Sequence, residues 1–389
     1  MAAPSEQDRA HMAAALALAR RGLGNTWPNP AVGCVLVAPG GRVVGRGWTQ
    51  PGGRPHAEAE ALARAGAAAR GATAYVTLEP CSHWGRTPPC CDALVRAGVA
   101  RVVVAVGDPD PRVDGRGLQR LREAGVVVEL GLMGEEARRL NAGFARRITR
   151  GLPLVTLKLA TTLDGRIATA RGESQWITGP AARREAHALR ARHDAILVGS
   201  GTVLADDPEL TCRIPGLARV PLARVVADAR LRTPLSTKLV AGARTVAPTW
   251  IATSTGHKPP ALAPYLEAGV EILPLRRPRP GGRQGLDMAA LLAALAQRGV
   301  TRVLAEGGAG IAAALLRAGL ADRLAWFHAP GVMGGDGLPS VRPLPLARLS
   351  AMPRYRRVAS RPLGADLLTE YERDDDEEEG EGGPCSPGS

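Results

Sequence analysis

Short β-forming runs and helical stretches alternate along this chain, and the alternation restarts once, near Thr149-Arg150-Gly151-Leu152-Pro153. Alternation of this kind confines the fold to layered α/β architecture. The restart divides it into two domains, residues 1–150 and 151–372, as expected for 389 residues at roughly 150 residues per domain. Ser5-Glu6-Gln7-Asp8 reads as a capping box opening a helix over 5–21 that stops at Gly22. Val32–Val37 and Val43–Trp48 flank the turn Pro39-Gly40-Gly41 and form a hairpin. Helices are expected over 57–68, 90–97 and 117–124, and strands over 74–78, 101–106 and 126–130. After the restart, strands are expected over 154–159, 195–198, 225–228, 250–253 and 302–306, with helices over 180–192 and 287–297. No internal repeat is evident.

The net charge of +13 raises the question of nucleic acid. Lysine is confined to Lys158, Lys238 and Lys258, so the charge is arginine and reflects a compositional bias that also enriches alanine. Aromatic residues make up only 3%, too few to stack many bases. A generic basic surface and phosphate-bearing small substrates fit better. No apolar run approaches the ~20 residues of a membrane span, and the N-terminus, with Glu6 and Asp8, lacks a signal-peptide core. The expectation is a cytoplasmic homo-oligomer acting on a small molecule, with no nucleic-acid or membrane partner. From Arg373 the chain turns acidic and then rich in Gly, Pro and Ser, so residues 373–389, with Cys385, are expected to be a disordered tail.

Six cysteines are too sparse for a disulfide scaffold, yet Cys81, Cys90 and Cys91 crowd together, as metal-binding thiols do in a reducing compartment. His56-Ala57-Glu58 opens a helix, Pro80-Cys81 follows a strand, and Cys90 comes nine positions later. One imidazole and two thiolates suit Zn²⁺ and leave its fourth position for water, whose pKa the metal lowers to about 7. Glu58 is then the carboxylate that takes the water's proton and hands it to a leaving amine. Residues two apart on a helix point roughly 200° apart. His56 must therefore sit at the helix entrance if it is to converge with Glu58. Cys81 and Cys90 are placed at or near another helix start, whose dipole favours thiolate. The alternative is a structural site with a fourth protein ligand, Cys91 or His83. Cys34 reads as a core residue. Zinc deaminases carry H-x-E with P-C-x-x-C; here eight residues separate the two cysteines.

Trp27-Pro28-Asn29-Pro30-Ala31-Val32-Gly33, Pro55-His56-Ala57-Glu58, Tyr75-Val76-Thr77-Leu78-Glu79-Pro80-Cys81-Ser82-His83 and Gly85-Arg86-Thr87-Pro88-Pro89-Cys90 closely resemble the bifunctional riboflavin-biosynthesis deaminase/reductase family. The resemblance continues through Asp108-Pro109, Val113 and Gly115-Arg116-Gly117 to about residue 372. It implies a cytidine-deaminase-like α/β/α domain followed by a dihydrofolate-reductase-like α/β domain. It implies a diamino-hydroxy-phosphoribosylamino-pyrimidine substrate, with Glu58 as proton shuttle and His56, Cys81 and Cys90 on zinc. Asn29 would hold the pyrimidine edge, His83 and Arg86 would face the substrate, and Arg86 would meet its phosphate. Thr49 stands where the family commonly has a histidine. A nucleic-acid (tRNA) or nucleoside deaminase with an accessory domain is the alternative.

In the second half, Glu306-Gly307-Gly308-Ala309-Gly310 joins a strand to a helix and offers backbone N–H groups to a phosphate, or makes a simple tight turn. It lacks the G-x-G-x-x-G fingerprint, so no Rossmann domain is expected. Lys158–Arg166, Glu173–Thr178, Leu189–Arg192 and Thr202–Pro208 resemble the family's reductase half. The resemblance implies NADPH contacts from Ala160, Trp176, Thr202, Asp206, Gly308, Ala309, Gly310, Ile311, Ala312, Ala313 and Ala314. It implies substrate contacts from Ser174, Arg190, Leu210, Arg213 and Glu306, with Arg190 and Arg213 on the phosphate. Ala229 replaces a serine that the family can show. NADPH would reduce the ribose side chain of the deaminated product to ribityl.

Overall fold

The computed structural model describes residues 5–85, 88–276 and 285–374. Arg86 and the tail from residue 375, including Cys385, lie outside the described residues.

The first domain runs α1 (Glu6–Ala19), β1 (Gly33–Val37), β2 (Val43–Trp48), α2 (Ala57–Ala65), β3 (Thr73–Val76), α3 (Cys90–Arg96), β4 (Arg101–Val104), α4 (Arg116–Glu123), β5 (Val127–Leu130) and α5 (Gly134–Arg150). Its sheet has the order β2-β1-β3-β4-β5, antiparallel from β2 to β3 and parallel from β3 to β5. Every residue of β1 is buried, because helices cover both faces. Side chains of α2, α3 and α4 gather with Phe144 of α5 in one cluster, and those of α1 gather with Ala137 and Leu140 of α5 in another. The expected capping box is present: the Asp8 N–H donates to Ser5 Oγ at 3.1 Å, and the Ser5 N–H donates to Asp8 Oδ2 at 3.1 Å. Asp8 also accepts from Arg101, whose other side meets Glu129, so one guanidinium ties α1 to β4 and β5. Gly47 lets α2 approach the sheet: a Cβ there would lie 2.1 Å from the Ala57 carbonyl oxygen. That close approach fixes where the first turn of α2 stands.

The second domain runs β6 (Leu154–Thr161), β7 (Arg166–Ala168), α6 (Pro180–Ala191), β8 (Ala195–Gly199), α7 (Ser200–Asp206), β9 (Ala223–Ala227), α8 (Lys238–Ala241), β10 (Thr249–Ser254), α9 (Pro259–Glu267), β11 (Glu271–Leu275), α10 (Met288–Gln297), β12 (Arg302–Glu306), α11 (Ala309–Arg317), β13 (Arg323–His328), β14 (Leu338–Pro339), β15 (Tyr355–Leu363) and β16 (Asp366–Arg373). Its nine-stranded sheet has the order β11-β10-β9-β8-β12-β6-β13-β16-β15. It is parallel from β11 to β13 and closes with the antiparallel β16 and β15. The inner parallel strands β8, β9, β10 and β12 are almost wholly buried on both faces, as helix-covered parallel strands must be. Among the described residues no helix is long and apolar enough to cross a membrane.

Sequence reading left residues 131–150 without an element, but α5 occupies most of them and abuts the second domain. Arg147 Nε donates to the Ala296 carbonyl at 2.9 Å, Arg146 pairs with Asp322 at 3.0 Å and Arg139 with Glu372 at 2.8 Å. Half of the α5 surface is therefore polar and yet engaged, which hides the helix from a simple core pattern. Sequence reading also passed over α7, α9, β11 and β13, and over the hairpin β15–β16. The outer strand β15 is half exposed, so it carries no strong apolar run.

Candidate active sites

His56 is the N-cap of α2, with extended φ/ψ of −72° and 161°. It therefore stands at the helix entrance, where its ring can converge with Glu58 in the first turn. Cys81 lies in the extended segment after β3, and Cys90 is the first residue of α3 behind Pro89. The Cys90 N–H donates to Cys81 Sγ at 3.3 Å, so a free backbone donor at that helix start meets a thiolate. His56 Nδ1 lies 3.6 Å from Cys81 Sγ and 3.4 Å from Cys90 Sγ, and the three ligand atoms lie within 4.8 Å of one another. Ligands around a tetrahedral Zn²⁺, with Zn–S near 2.3 Å and Zn–N near 2.0 Å, stand about 3.5 Å apart. The separations fit zinc.

No fourth protein ligand joins the group among the described residues. Cys91 is buried on the opposite side of its helix turn and contacts Asp92 at 3.6 Å, and burial pushes its thiol up to about 12. His83 stands outside the cluster, with its buried Nδ1 unpartnered. Cys34 is fully buried in β1. Three protein donors, with no fourth among the described residues, is the ligand count of a catalytic zinc site and not of a structural one.

The three donors also share protons and charge among themselves. The Cys90 thiol donates to Cys81, and this hydrogen bond, with help from His56, holds Cys81 down to about 4 against the opposing effect of burial. Cys90 is pushed up because it keeps the proton shared by the two sulfurs. His56 is raised by the thiolate it faces. Glu58 is only 3% exposed, and burial lifts its carboxyl to about 7, although the neighbouring imidazolium pulls it back. A carboxyl near 7 both accepts and returns a proton at neutral pH.

Three acidic residues with no role assigned from sequence shape the surroundings. Glu79 is buried and accepts from the N–H groups of Asp108, Gly115, Gly117 and Leu118, at 2.9 to 3.3 Å. One carboxylate thus fastens the Pro80-Cys81 turn to the loop before α4. Asp108 is lifted to about 6 by burial, and it accepts from the Asp110 N–H. Asp110 in turn is held low by Arg112, 2.5 Å away. The quoted motif Glu79-Pro80-Cys81 was the available signal, but only the fold shows what Glu79 grips. Asn29 lies in a turn over 26–29 beside the loop that leads to His56, and its Nδ2 donates to the Gly53 carbonyl at 2.8 Å. Thr49 is buried, and its hydroxyl accepts from the Val32 N–H, a structural bond within the hairpin.

The second site is an open groove of about 510 Å³ lined by Thr162, Ser174, Trp176, Ala329, Pro330 and neighbours. Trp176 is 67% exposed and carries the Arg183 guanidinium over its ring at 4.7 Å. It is a platform and not a core residue. Ala160 is the penultimate residue of β6. Gly307 and Gly308 both take φ of +83°, and a Cβ on either would press within 3.3 Å of Thr202. Glycine is therefore required between β12 and α11, and the turn leaves the first N–H groups of α11 without side-chain caps. The residues Gly308 to Ala314 form this turn and helix start, with Thr202 against it and Asp206 at the end of α7. Backbone N–H groups without side-chain caps at the start of α11 suit a phosphate.

Glu306 ends β12 opposite Lys158. Burial favours its neutral form, but Arg190 outweighs burial and keeps the carboxyl below its ordinary value. The pair is bidentate, with Arg190 Nε and Nη2 at 2.7 and 2.9 Å, and Nη1 donates to the Thr211 carbonyl at 3.0 Å. Arg190 thus bridges Glu306 and the Thr211 carbonyl. Arg213 is exposed and pairs loosely with Glu209 at 3.4 Å, while Leu210 is buried at φ +52° beneath it. Ser174 lines the groove.

Comparison with known proteins bears on both halves. Residues 5–106 match the cytidine and deoxycytidylate deaminase zinc-binding region, and residues 153–369 match the RibD C-terminal domain. The chain is 44% identical to the riboflavin biosynthesis protein RibD of Escherichia coli over 373 residues, covering 93% of this chain and 98% of the relative. It is 41% identical to RibD of Aquifex aeolicus over 368 residues, covering 95% and 99%. Acinetobacter baumannii RibD superposes with a TM-score of 0.83 at 38% identity, over 95% of this chain and 99% of that one. The diaminohydroxyphosphoribosylaminopyrimidine deaminase/5-amino-6-(5-phosphoribosylamino)uracil reductase of Thermotoga maritima gives 0.80 at 32%, over 94% and 99%. These relatives do not favour a nucleic-acid or nucleoside deaminase with an accessory domain. The N-terminal half has the deaminase fold with its zinc site, and the C-terminal half has the reductase fold that uses NADPH. The chain belongs to the RibD family, the bifunctional deaminase/reductases of riboflavin biosynthesis.

Proposed function

We propose that the zinc site hydrolyses the exocyclic amine of 2,5-diamino-6-ribosylamino-4(3H)-pyrimidinone 5′-phosphate, and that the groove of the second domain then reduces the ribosyl side chain of the product to ribityl. The carrying observation is the buried Glu58 beside three zinc-spaced ligands. His56, Cys81 and Cys90 hold the metal, which supplies the Lewis acid that makes water nucleophilic at neutral pH. Glu58 takes a proton from the attacking water and delivers it to the departing amine, so water enters and ammonia leaves. Asn29 and His83 hold the pyrimidine. Arg86, outside the described residues, is the guanidinium assigned to the phosphate.

In the second domain Trp176, Ala160, Thr202, Asp206 and the 308–314 turn and helix hold NADPH, which supplies the hydride. Ser174, Leu210, Arg213 and Glu306 face the ribosylamino substrate. Arg213, whose guanidinium is exposed, and Arg190, which also orients Glu306, meet the phosphate. The boundary between the two activities falls near residue 150, at the end of α5. A cytoplasmic homo-oligomer completes the proposal, and light scattering on the purified protein checks its oligomeric part.

The test is incubation with the diaminopyrimidine phosphate, with and without NADPH, followed by mass spectrometry. Amino-to-oxo exchange without NADPH and a further gain of two hydrogens with it are expected. No mass change in either tube, with zinc bound, overturns the substrate assignment.

A further inference from the structure

The loop that carries Asn29 is built into the wrong domain for a self-sufficient deaminase. Four residues of the segment 24–28 are anchored on the reductase domain. Gly24 takes φ +72° and lies so close to the end of α6 that a Cβ would stand 2.2 Å from the Ala191 carbonyl oxygen. Asn25, 4% exposed, accepts through Oδ1 from the backbone N–H groups of Arg219 at 2.7 Å and Val220 at 3.2 Å. Trp27 packs its ring against the main core of the reductase domain. Pro28 abuts Gly299, where a Cβ would come within 2.7 Å.

The same segment reaches the deaminase site. The Gly52 N–H donates to the Asn25 carbonyl at 2.8 Å, the Asn29 N–H donates to the Thr26 carbonyl at 3.0 Å, and Asn29 Nδ2 donates to the Gly53 carbonyl. Gly52 and Gly53 lead directly to Pro55 and His56. Asn25 thus bonds the reductase domain with its side chain and the zinc-ligand loop with its main chain. By contrast, the mutual hydrogen bonds of His56, Cys81 and Cys90 all stay inside the first domain.

We propose that the reductase domain forms part of the deaminase's pyrimidine-binding loop, and that Asn25 is the positioning residue that couples them. This rests on the reading of Asn29 as the group that holds the pyrimidine. The hydrogen bonds among the zinc ligands stay within the first domain, so the second domain's contribution is to substrate affinity and not to the chemical step. Domains joined in one chain commonly move independently; here the seam passes through a binding loop.

The test uses the full-length zinc enzyme and two variants, one on each side of the seam. Asn25→Ala removes the acceptor, and Arg219→Pro removes one donor from an exposed loop of the other domain. Losing a buried acceptor bond of this kind is worth about tenfold. Both variants are expected to raise the deaminase KM for the diaminopyrimidine phosphate about tenfold, with deaminase kcat within about twofold and zinc content unchanged. Hydrogen–deuterium exchange is expected to quicken over residues 25–31 and at Gly52 in both. An unchanged KM in the Arg219→Pro protein overturns the coupling, as does kcat falling together with zinc. A wild-type enzyme that does not act on this pyrimidine sinks the substrate reading alone. The exchange measurement then still decides the coupling, which is overturned if residues 25–31 exchange as in the wild type.

Discussion

The two sites of this protein are built on opposite plans. The zinc site gathers its metal ligands and its proton carrier between residues 56 and 90, on the first turns of two helices and the segment between them. The candidate contacts of the reductase half run from residue 160 to residue 314, and its Arg190–Glu306 ion pair joins residues 116 apart. The difference follows from what each must bind. A metal ion demands three donors within a few ångströms of one point, so its ligands and the carboxylate beside them converge. A dinucleotide is long, and many separate contacts along a groove hold it. The compact site should therefore fail abruptly when one group is lost, and the dispersed site should fail by degrees.

The largest expected effect tests that contrast at the compact site. Glu58→Gln keeps the size and burial of the side chain but removes its capacity to carry a proton. Deaminase kcat should fall by about 10³-fold, with zinc retained by metal analysis and the reductase step unchanged on chemically deaminated substrate. Deamination surviving at near wild-type rate would mean that another group moves the proton. At the dispersed site, Glu306→Gln breaks a charged bidentate pair without removing its atoms. Reductase kcat/KM should fall by about 10- to 100-fold, and deamination should persist. A loss as complete as that of Glu58→Gln would erase the distinction between the two plans.

The smallest effect concerns the seam. His193 is fully buried beside Gly24; its Nδ1–H donates to the Leu189 carbonyl at 2.7 Å, so Nε2 accepts from the Thr156 hydroxyl at 2.9 Å. Burial, with the charge of Arg302 adding to it, pulls this imidazole down to about 3 from an ordinary 6.5. The folded protein therefore holds His193 neutral where the unfolded chain protonates it. Its contribution is complete above pH 6.5 and is lost as pH falls from 6.5 toward 3. Between pH 7 and pH 5 this amounts to about 2 kcal/mol. Urea melts of wild type and His193→Gln at the two pH values should differ by that much in their pH slope. Equal slopes would show that the seam admits water to the ring.

Much of the compact site was legible in the sequence because its constraints are local. The position of His56 at a helix entrance followed from helix geometry and Glu58 alone. Cys91 is adjacent to Cys90 and points elsewhere for the same local reason. Glu79 stood in plain view within Glu79-Pro80-Cys81, but a buried carboxylate is defined by the N–H groups it receives. Those groups belong to residues 108 to 118. Arg190 is expected at the phosphate from the sequence; only the fold shows that its guanidinium also grips Glu306 and the Thr211 carbonyl.

The sequence by itself determined the α/β class, the two-part organisation and the zinc ligand set. Each of these rests on periodicity or on short spacing along the chain, where backbone geometry limits what neighbours can do. Only the tertiary structure decided which partner each buried charge meets, that α5 seals one domain against the other, and that residues 24–28 stand on the reductase domain. Those outcomes depend on groups brought together across more than a hundred residues. A buried polar atom must find a partner, but nothing in its own neighbourhood of the chain says which one.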